Sequence, residues 1–273
     1  MTRLFGVLGD PISHSLSPAM HAAAFQALRL DAIYAPFEVP RRLLRPMLRG
    51  LVLAGVEGLN VTVPLKEAVV PLVDQLDASA RAMGAVNTLV IRKRRLIGYN
   101  TDGAGFVRAL RELGWRPGPT RSVVLGAGGA ARAVAWELGR FPGSRITIAN
   151  RSRARAARLA AWLRRARPRL EVRVAPLREV ALTDAHLLVN ATTVGMRTGD
   201  GLPIRPETLR RGLLVYDLVY HRRTPLVAAA TRRGCVAANG LSMLLYQGAE
   251  SFQLWWNRPA PVEAMRNALE HAA

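Results

Sequence analysis

After the apolar run Val123-Val124-Leu125 the chain turns through Gly126-Ala127-Gly128-Gly129-Ala130-Ala131-Arg132 and enters an alanine-rich stretch. No other segment restricts the fold as tightly. Glycines spaced G-x-G-x-x-A between a strand and a helix permit a sharp turn, close approach of backbone to a ligand, and close packing of helix on sheet. A second apolar strand, Ile146-Thr147-Ile148-Ala149, follows within the length of one βαβ unit. That context predicts a Rossmann-like parallel unit whose helix N-terminal amides face a pyrophosphate.

The end of the second strand selects the dinucleotide. A site for NAD places Asp or Glu there to bond the ribose 2′-hydroxyl. This chain has Asn150-Arg151-Ser152, followed by Arg153 and Arg155. A carboxylate would repel a 2′-phosphate, whereas guanidinium and hydroxyl groups bind it, so the cofactor expected is NADP(H).

At 273 residues, half of them hydrophobic, the chain is long enough for two α/β domains of ordinary size. Residues 1–100 read as strands over 4–8, 33–39, 58–63 and 88–91, with helices over 18–30, 43–54 and 66–72. This alternation predicts a mainly parallel sheet. A second alternation has strands over 122–125, 145–149, 171–174, 186–190 and 213–218, and helices over 130–139 and 153–166. A connecting helix over 103–110 lies between the two, and the tail is helical from 240 with a break at 255–259. No 18-residue apolar run and no signal-peptide cleavage pattern occurs, so a cytoplasmic protein is expected. The single Cys235 excludes an intrachain disulfide, and the five histidines, His14, His21, His186, His221 and His271, lack metal-ligand spacing. The site is expected to be metal-free.

Lys66 is one of two lysines among 39 cationic side chains, the rest being arginine. An arginine cannot release its proton in a protein, but a lysine ammonium can be tuned to exchange one. Lys66 is therefore the first candidate for proton transfer. Lys93, in Arg92-Lys93-Arg94-Arg95, belongs to a solvated basic turn. Asn60 and Thr62 alternate with Val61 and Val63, which directs both polar side chains to one strand face near Lys66. Asn87, an amide in the apolar Gly84-Ala85-Val86-Asn87-Thr88-Leu89-Val90, needs a buried partner. Asp102, in Asn100-Thr101-Asp102-Gly103, either caps the connecting helix or pairs with Lys66. In Ser15-Leu16-Ser17-Pro18, Ser17 fits an N-cap with Pro18 as the first helical residue. Ser15 and Ser17 at a positive helix end also form a receptor for a small carboxylate.

In their order along the chain these segments resemble the shikimate dehydrogenase family: S-x-S-P, N-V-T-V-P-x-K, A-V-N-T, N-T-D-G, G-A-G-G-A, N-R-S, N-A-T-x-x-G-M and D-x-x-Y. The resemblance runs nearly end to end. It implies two α/β domains, a substrate-binding domain over 1–101 and 240–273 and a Rossmann-like NADP-binding domain over 102–239. It implies NADPH-dependent reduction of 3-dehydroshikimate to shikimate, on the route to chorismate and aromatic amino acids. By the same resemblance Ser15 and Ser17 hold the substrate carboxylate, and Thr62, Asn87, Asp102, Tyr220 and Gln247 bond the ring hydroxyls. Lys66 is the acid/base, assisted by Asp102. Gly126, Ala127, Gly128, Gly129 and Ala130 cradle the pyrophosphate, and Asn150, Arg151, Ser152 and Arg155 take the adenosine phosphate. Leu218, Gly240 and Met243 line the nicotinamide. Gly240, Met243 and Gln247, three and four residues apart, share a helix face. One departure is Ser242, where the family often has Gly. It bears on how the last long helix begins.

A quinate/shikimate dehydrogenase of broader specificity is the nearest alternative, and a noncatalytic NADP-sensing or polyanion-binding protein is the alternative from another class. The net charge of +20, with twelve arginines between Arg140 and Arg178, invites the last reading. Arg153, Arg155, Arg158, Arg164 and Arg165 follow the period of an amphipathic helix with a solvated basic face, which explains the run without a nucleic-acid partner. The partners expected are the small-molecule substrate, no membrane, no specific nucleic acid, and a second copy of the chain as a homodimer.

Overall fold

Alternating strand and helix segments build two six-stranded sheets, each in its own unit of the chain. The computed structural model describes residues 1–272. One unit comprises Met1–Gly105 and Leu244–Ala273, the other Phe106–Met243. The first sheet contains β1 (Arg3–Gly9), β2 (Ala32–Glu38), β3 (Val56–Val61), β4 (Gln75–Leu76), β5 (Thr88–Arg92) and β6 (Arg95–Tyr99), in the order β2-β1-β3-β5-β6-β4. The second contains β7 (Arg121–Leu125), β8 (Arg145–Asn150), β9 (Glu171–Pro176), β10 (Leu187–Asn190), β11 (Leu214–Asp217) and β12 (Val236–Asn239), in the order β12-β11-β10-β7-β8-β9. The helices are α1 (Ser17–Ala27), α2 (Leu44–Leu53), α3 (Ala78–Met83), α4 (Asp102–Glu112), α5 (Gly129–Leu138), α6 (Arg153–Ala166), α7 (Pro225–Arg232), α8 (Leu241–Trp256) and α9 (Val262–Ala272).

In the first sheet β1 pairs parallel with β2 and β3, and β4 parallel with β6, but β5 runs antiparallel to both β3 and β6. The sheet is thus more mixed than the alternation of segments suggested. The cause is local. Lys93 and Arg94 have φ of 49° and 63°, the left-handed pair that a two-residue hairpin turn requires, and such a turn joins only antiparallel strands. The basic turn expected at Lys93 is this hairpin. One core of the unit holds Leu8, Leu48, Leu59, Leu65, Val86 and Leu89. A second cluster is aromatic: Phe5, His21, Phe25, Tyr34, Phe252 and Trp255 meet within van der Waals reach. Trp255 lies so close to β3 that a Cβ on Gly58 would stand 2.3 Å from its Nε1, which explains the glycine.

Two local expectations are corrected. Residues 66–72 are not an α-helix: the chain passes through turns and closes in a 3₁₀ turn at Val70–Leu72. Pro71 has no N–H for a helical ladder, and β-branched Val69 and Val70 weaken the helical alternative. Ser17 is not the N-cap of α1 but its first residue. Leu16 occupies the cap position without a side-chain bond, and the Ser15 hydroxyl accepts the first helical N–H, that of Ser17, at 3.3 Å.

The second sheet is parallel throughout. Its order reverses direction between β7 and β10, so the crevice beyond their carboxyl ends is a topological switch point, where such sheets bind ligands. Helix α6 begins at Ser152, whose Oγ accepts the Arg155 N–H, and it buries Ala156, Leu159, Ala160 and Leu163 against the sheet. The opposite face is basic and exposed, as its period predicts. Part of the arginine content is stacked: Arg132 lies 4.1 Å over Trp162, Arg167 lies 4.1 Å over Trp136, and the two indoles are 5.4 Å apart. Among the described residues no helix is long and apolar enough to cross a membrane, and no three His, Cys, Asp or Glu side chains are grouped as a metal would need.

His21 supplies a prediction. Its ring is stacked 4.5 Å from Tyr34 and wholly buried, and that burial lowers its pKa from 6.5 to about 3. A depressed folded-state pKa contributes stability above 6.5 that is lost as pH falls toward 3, because only the unfolded chain takes up the proton. Chemical denaturation should show about 2.5 kcal/mol of His21-linked stability lost between about pH 7 and pH 4.5. His21→Leu, which cannot titrate, should lack that share, and an identical acid loss in both proteins would refute the assignment.

Candidate active site

Lys66 is held from both sides. Leu65, fully buried, donates its N–H to Thr62 O at 2.9 Å, and Lys66 O accepts from Val86 N at 2.9 Å. The turn expected to be helical is therefore pinned between the end of β3 and the segment leading into β5. From there Lys66 Nζ reaches Asp102 Oδ2 at 2.6 Å, with the lysine side chain 21% exposed and the aspartate 8%. Asp102 is the first residue of α4, where the helix dipole favours a carboxylate. As the first helical residue it stands inside the helix and not at the cap before it, and its own N–H donates to Asn100 Oδ1 at 3.1 Å.

Asn87 completes the cluster. Its Nδ2 donates to Asp102 Oδ1 at 2.8 Å, to Thr101 Oγ1 at 2.9 Å and to Gln247 Oε1 at 3.3 Å, while its Oδ1 accepts from Thr101 N at 2.8 Å. Gln247 enters on α8, where its Nε2 donates to Leu244 O. The approach of α8 to α4 is so close that a Cβ on Gly105 would lie 2.6 Å from Gln247 N. Lys66, Asn87, Asp102 and Gln247 thus form one hydrogen-bonded chain. Ser15 and Ser17 form a separate pair, Ser17 N donating to Ser15 Oγ at 3.3 Å. Tyr34 links that end toward the cluster: its hydroxyl donates to Asn60 Oδ1 at 2.8 Å, and burial raises its pKa well above 10, with the Ser17 hydroxyl opposing. Asn60 is buried and bonded to Asn87 O, Thr88 and Ser251, so its amide serves the interior. Thr62 lies half-buried just past β3, and Gly9 packs against its methyl group.

In the second unit the glycine turn follows the carboxyl end of β7. Gly126 has φ of +109°, and a Cβ there would stand 2.7 Å from Ala191 O at the end of β10. Only glycine meets both constraints. Gly128 and Gly129 differ, since a Cβ on either would meet nothing within 4 Å. Helix α5 starts immediately after, with no side-chain cap, so its first amides remain directed at that open space. The turn therefore leaves open space in front of the first amides of α5. At the end of the adjacent β8, Asn150 Nδ2 donates to Ser152 O, Ser152 caps α6, and Arg151 and Arg155 are exposed. Their donors suit a phosphate monoester, and no carboxylate stands at that strand end.

Leu218 and Gly240 meet backbone to backbone: a Cβ on Gly240 would lie 2.3 Å from Leu218 O. Met243 is mostly buried, and its N–H donates to Tyr216 Oη at 3.0 Å. Ser242 Oγ pairs with the same hydroxyl at 2.9 Å, so the serine that departs from the family pattern helps fasten the start of α8. Tyr220 belongs to this unit, and burial raises its pKa.

Several buried polar residues received no role from the sequence, though four of them lie within its motifs. In the first unit these are Tyr34, Thr88, Thr101 and Ser251, and in the second Asn190, Asp217 and Thr224. Asp217 is fully buried and accepts from Thr224 Oγ1 at 2.6 Å, Asn190 Nδ2 at 2.8 Å and Val219 N at 3.2 Å, and burial raises its pKa against these bonds. This clip fixes the loops that follow β10 and β11. The available signal was a polar residue ending each apolar strand, Asn190 and Asp217.

Known proteins resemble this chain along nearly its whole length. Residues 7–89 match the family model of the shikimate dehydrogenase substrate binding domain, and residues 240–270 that of the shikimate 5'-dehydrogenase C-terminal domain. A shikimate dehydrogenase (NADP+) of Methanopyrus kandleri is 46% identical, covering 99% of this chain and 96% of its own length. One from Rubrobacter xylanophilus is 48% identical over 98% of this chain and 95% of its own. The crystal structure of shikimate 5-dehydrogenase from Thermus thermophilus in complex with NADP(H) and shikimate superposes with a TM-score of 0.90 at 37% identity, over 100% of both chains.

The two kinds of glycine in the turn separate experimentally. Gly126→Ala should cost about 2 kcal/mol or more in chemical denaturation, because it combines a positive φ with a backbone clash. Gly128→Ala should stay within about 0.5 kcal/mol of the parent, as substitutions into open space do. Equal losses would contradict the geometry.

Proposed function

The chain belongs to the shikimate dehydrogenase family, and on that premise we propose that it catalyses the reversible, NADP-dependent interconversion of shikimate and 3-dehydroshikimate through Lys66 and Asp102. The observation that carries the residue assignment is the 2.6 Å contact between the nearly buried Asp102 and Lys66, one of only two lysines in the chain. When bound, NADPH supplies the hydride that reduces the substrate ketone, and NADP+ takes it back in the reverse direction.

The remaining work falls to side chains. In reduction Lys66 donates a proton to the carbonyl oxygen as negative charge develops there, and in oxidation it accepts the proton of that hydroxyl. Asp102 holds the ammonium through Oδ2, while Asn87 occupies Oδ1. The aspartate also accepts from a ring hydroxyl of the substrate. Asn87, Gln247 and Thr62 supply further bonds to the ring, and Tyr220 a phenolic one. Ser15 and Ser17 hold the carboxylate at the start of α1. Gly126 to Ala130 hold the pyrophosphate, Asn150, Arg151, Ser152 and Arg155 the 2′-phosphate, and Leu218, Gly240 and Met243 the nicotinamide. These assignments divide the residues between a substrate domain and a Rossmann-like NADP domain. The open space above Gly128 and Gly129 supports the second set, and the shared hydrogen bonds of Asn87 the first.

The test is the absorbance of NADPH formed from shikimate and NADP+, run beside NAD+ and quinate. The chain should be most active with shikimate and NADP+, and equal rates on quinate would assign it the broader specificity. Lys66→Ala should lower turnover by ~10² to 10⁴ while leaving the Kd for NADP+ within about twofold. Undiminished turnover in that variant removes Lys66 from the mechanism.

A further inference from the structure

We propose that Thr88 and Ser251 are positioning residues that set the Lys66–Asp102 pair through the side-chain amide of Asn87. The proposal rests on the reading of Lys66 and Asp102 as the reacting pair. Neither hydroxyl touches Lys66 or Asp102 in the hydrogen bonds described above, and both residues are fully buried. Their effect follows from the direction of the hydrogen bonds around Asn87.

A primary amide has a donor end and an acceptor end, and its neighbours decide which way it faces. Around Asn87 the neighbours are sorted, apart from the Thr101 hydroxyl, which lies 2.9 Å from Nδ2 and 3.2 Å from Oδ1. On the Nδ2 side stand acceptors, Asp102 Oδ1 at 2.8 Å and Gln247 Oε1 at 3.3 Å. On the Oδ1 side stand donors, the Thr101 N–H at 2.8 Å and the Thr88 hydroxyl at 3.0 Å. Rotating the amide by half a turn would set its oxygen against the Asp102 carboxylate and its NH₂ against a backbone N–H.

The Thr88 hydroxyl is in turn fixed from behind. Asn60 Oδ1 is occupied by the Tyr34 hydroxyl, so Asn60 presents Nδ2 inward, donating to Ser251 Oγ at 2.9 Å and to Thr88 Oγ1 at 3.2 Å. Ser251 and Thr88 share a 2.7 Å hydrogen bond, and Ser251 also donates to Gln247 O at 2.9 Å. With Asn60 donating into both hydroxyls, the Thr88 proton points to Asn87 Oδ1, and the single Ser251 proton is shared between Thr88 Oγ1 and Gln247 O. The chain Tyr34, Asn60, Ser251 with Thr88, Asn87, Asp102 therefore has a consistent donor-to-acceptor sense that ends at the carboxylate holding Lys66. Such networks gain from every member being satisfied and lose disproportionately when one is not. Ser251 ties Gln247 into the same frame, since the two are four residues apart on α8 and share its inward face.

Removing the Thr88 hydroxyl takes one of three acceptors from Asn60 Nδ2, one donor from Asn87 Oδ1 and the 2.7 Å partner from Ser251, while the isosteric side chain keeps the packing. Thr88→Val should lower kcat for shikimate oxidation about tenfold, the scale of one or two buried hydrogen bonds. Ser251→Ala should lower it about threefold to fivefold on the same scale. In both variants KM for NADP+ should stay within about twofold, since the cradle belongs to the other unit. Thr88→Ser, which restores the hydroxyl without the methyl, should return kcat to within about twofold of the parent. The proposal is overturned if Thr88→Val and Ser251→Ala both keep parental kcat, or if Thr88→Ser is as slow as Thr88→Val. If Thr88→Val does not fold, Ser251→Ala decides by the same criterion. Lys66→Ala, measured alongside, separates the two readings. Loss of turnover there with parental Thr88→Val and Ser251→Ala overturns only the positioning role, whereas retained turnover in Lys66→Ala overturns the parent reading and this one with it.

Discussion

Asn87 is only 2% exposed, and an amide in that position is tolerated only if both of its ends are met. Meeting them draws three segments to it: Thr88 at the start of β5, Thr101 and Asp102 at the entry to α4, and Gln247 on α8. The last comes from 160 positions further along the chain. Residues 244 onward are therefore part of the first unit's polar closure as well as of its aromatic core. The Lys66–Asp102 contact is a by-product of the same constraint, because the carboxylate that satisfies one end of Asn87 has a second oxygen left for the ammonium.

The second unit solves a different problem by backbone proximity. Gly126 passes within 2.7 Å, measured from where a Cβ would be, of Ala191 O, and Gly240 within 2.3 Å of Leu218 O. Both contacts lie at the carboxyl edge of a parallel sheet, one beside the switch point and one at the far strand. Between them Asp217 binds Asn190 and Thr224, so the loops after β10 and β11 are fastened by a buried carboxylate instead of by apolar packing. A side chain added at either glycine would have to move a peptide carbonyl that the sheet itself holds in place.

What the sequence disclosed follows from how local each cause is. The glycine turn, the strand before it, the basic face of α6 and the Ser152 start of that helix are set by neighbours within a few positions, and each reads from spacing alone. The antiparallel pairing of β5 with β6 did not, because it is fixed by positive φ at Lys93 and Arg94, and neither residue type advertises that conformation. The helix expected over 66–72 failed for the opposite reason: its apolar spacing was suitable, but Pro71 and the tertiary bond from Val86 to Lys66 O override it. Asn87 announced that it required a partner without saying which. Ser251 and Tyr34 gave no signal at all, since a serine on a helix and a tyrosine on a strand have many ordinary uses. Only proximity to Asn60 gives them one here.

The arginine bias of the chain bears on why position 66 is different. Elsewhere a guanidinium is the better cation: it stacks over Trp162 and Trp136 and pairs Glu171 from two strands, uses that exploit a flat, permanently charged group. At position 66 those virtues become liabilities. A planar fork of five donors would need more acceptors than the single free oxygen of Asp102, and the excess would be left unsatisfied in a largely buried setting. A guanidinium also holds its proton throughout, so under the proposed chemistry it could polarise a carbonyl but not protonate an alkoxide. The compact ammonium fits one carboxylate oxygen and keeps two further hydrogens for a substrate. That geometry, more than its rarity in the composition, accounts for a lysine in a chain that otherwise prefers arginine.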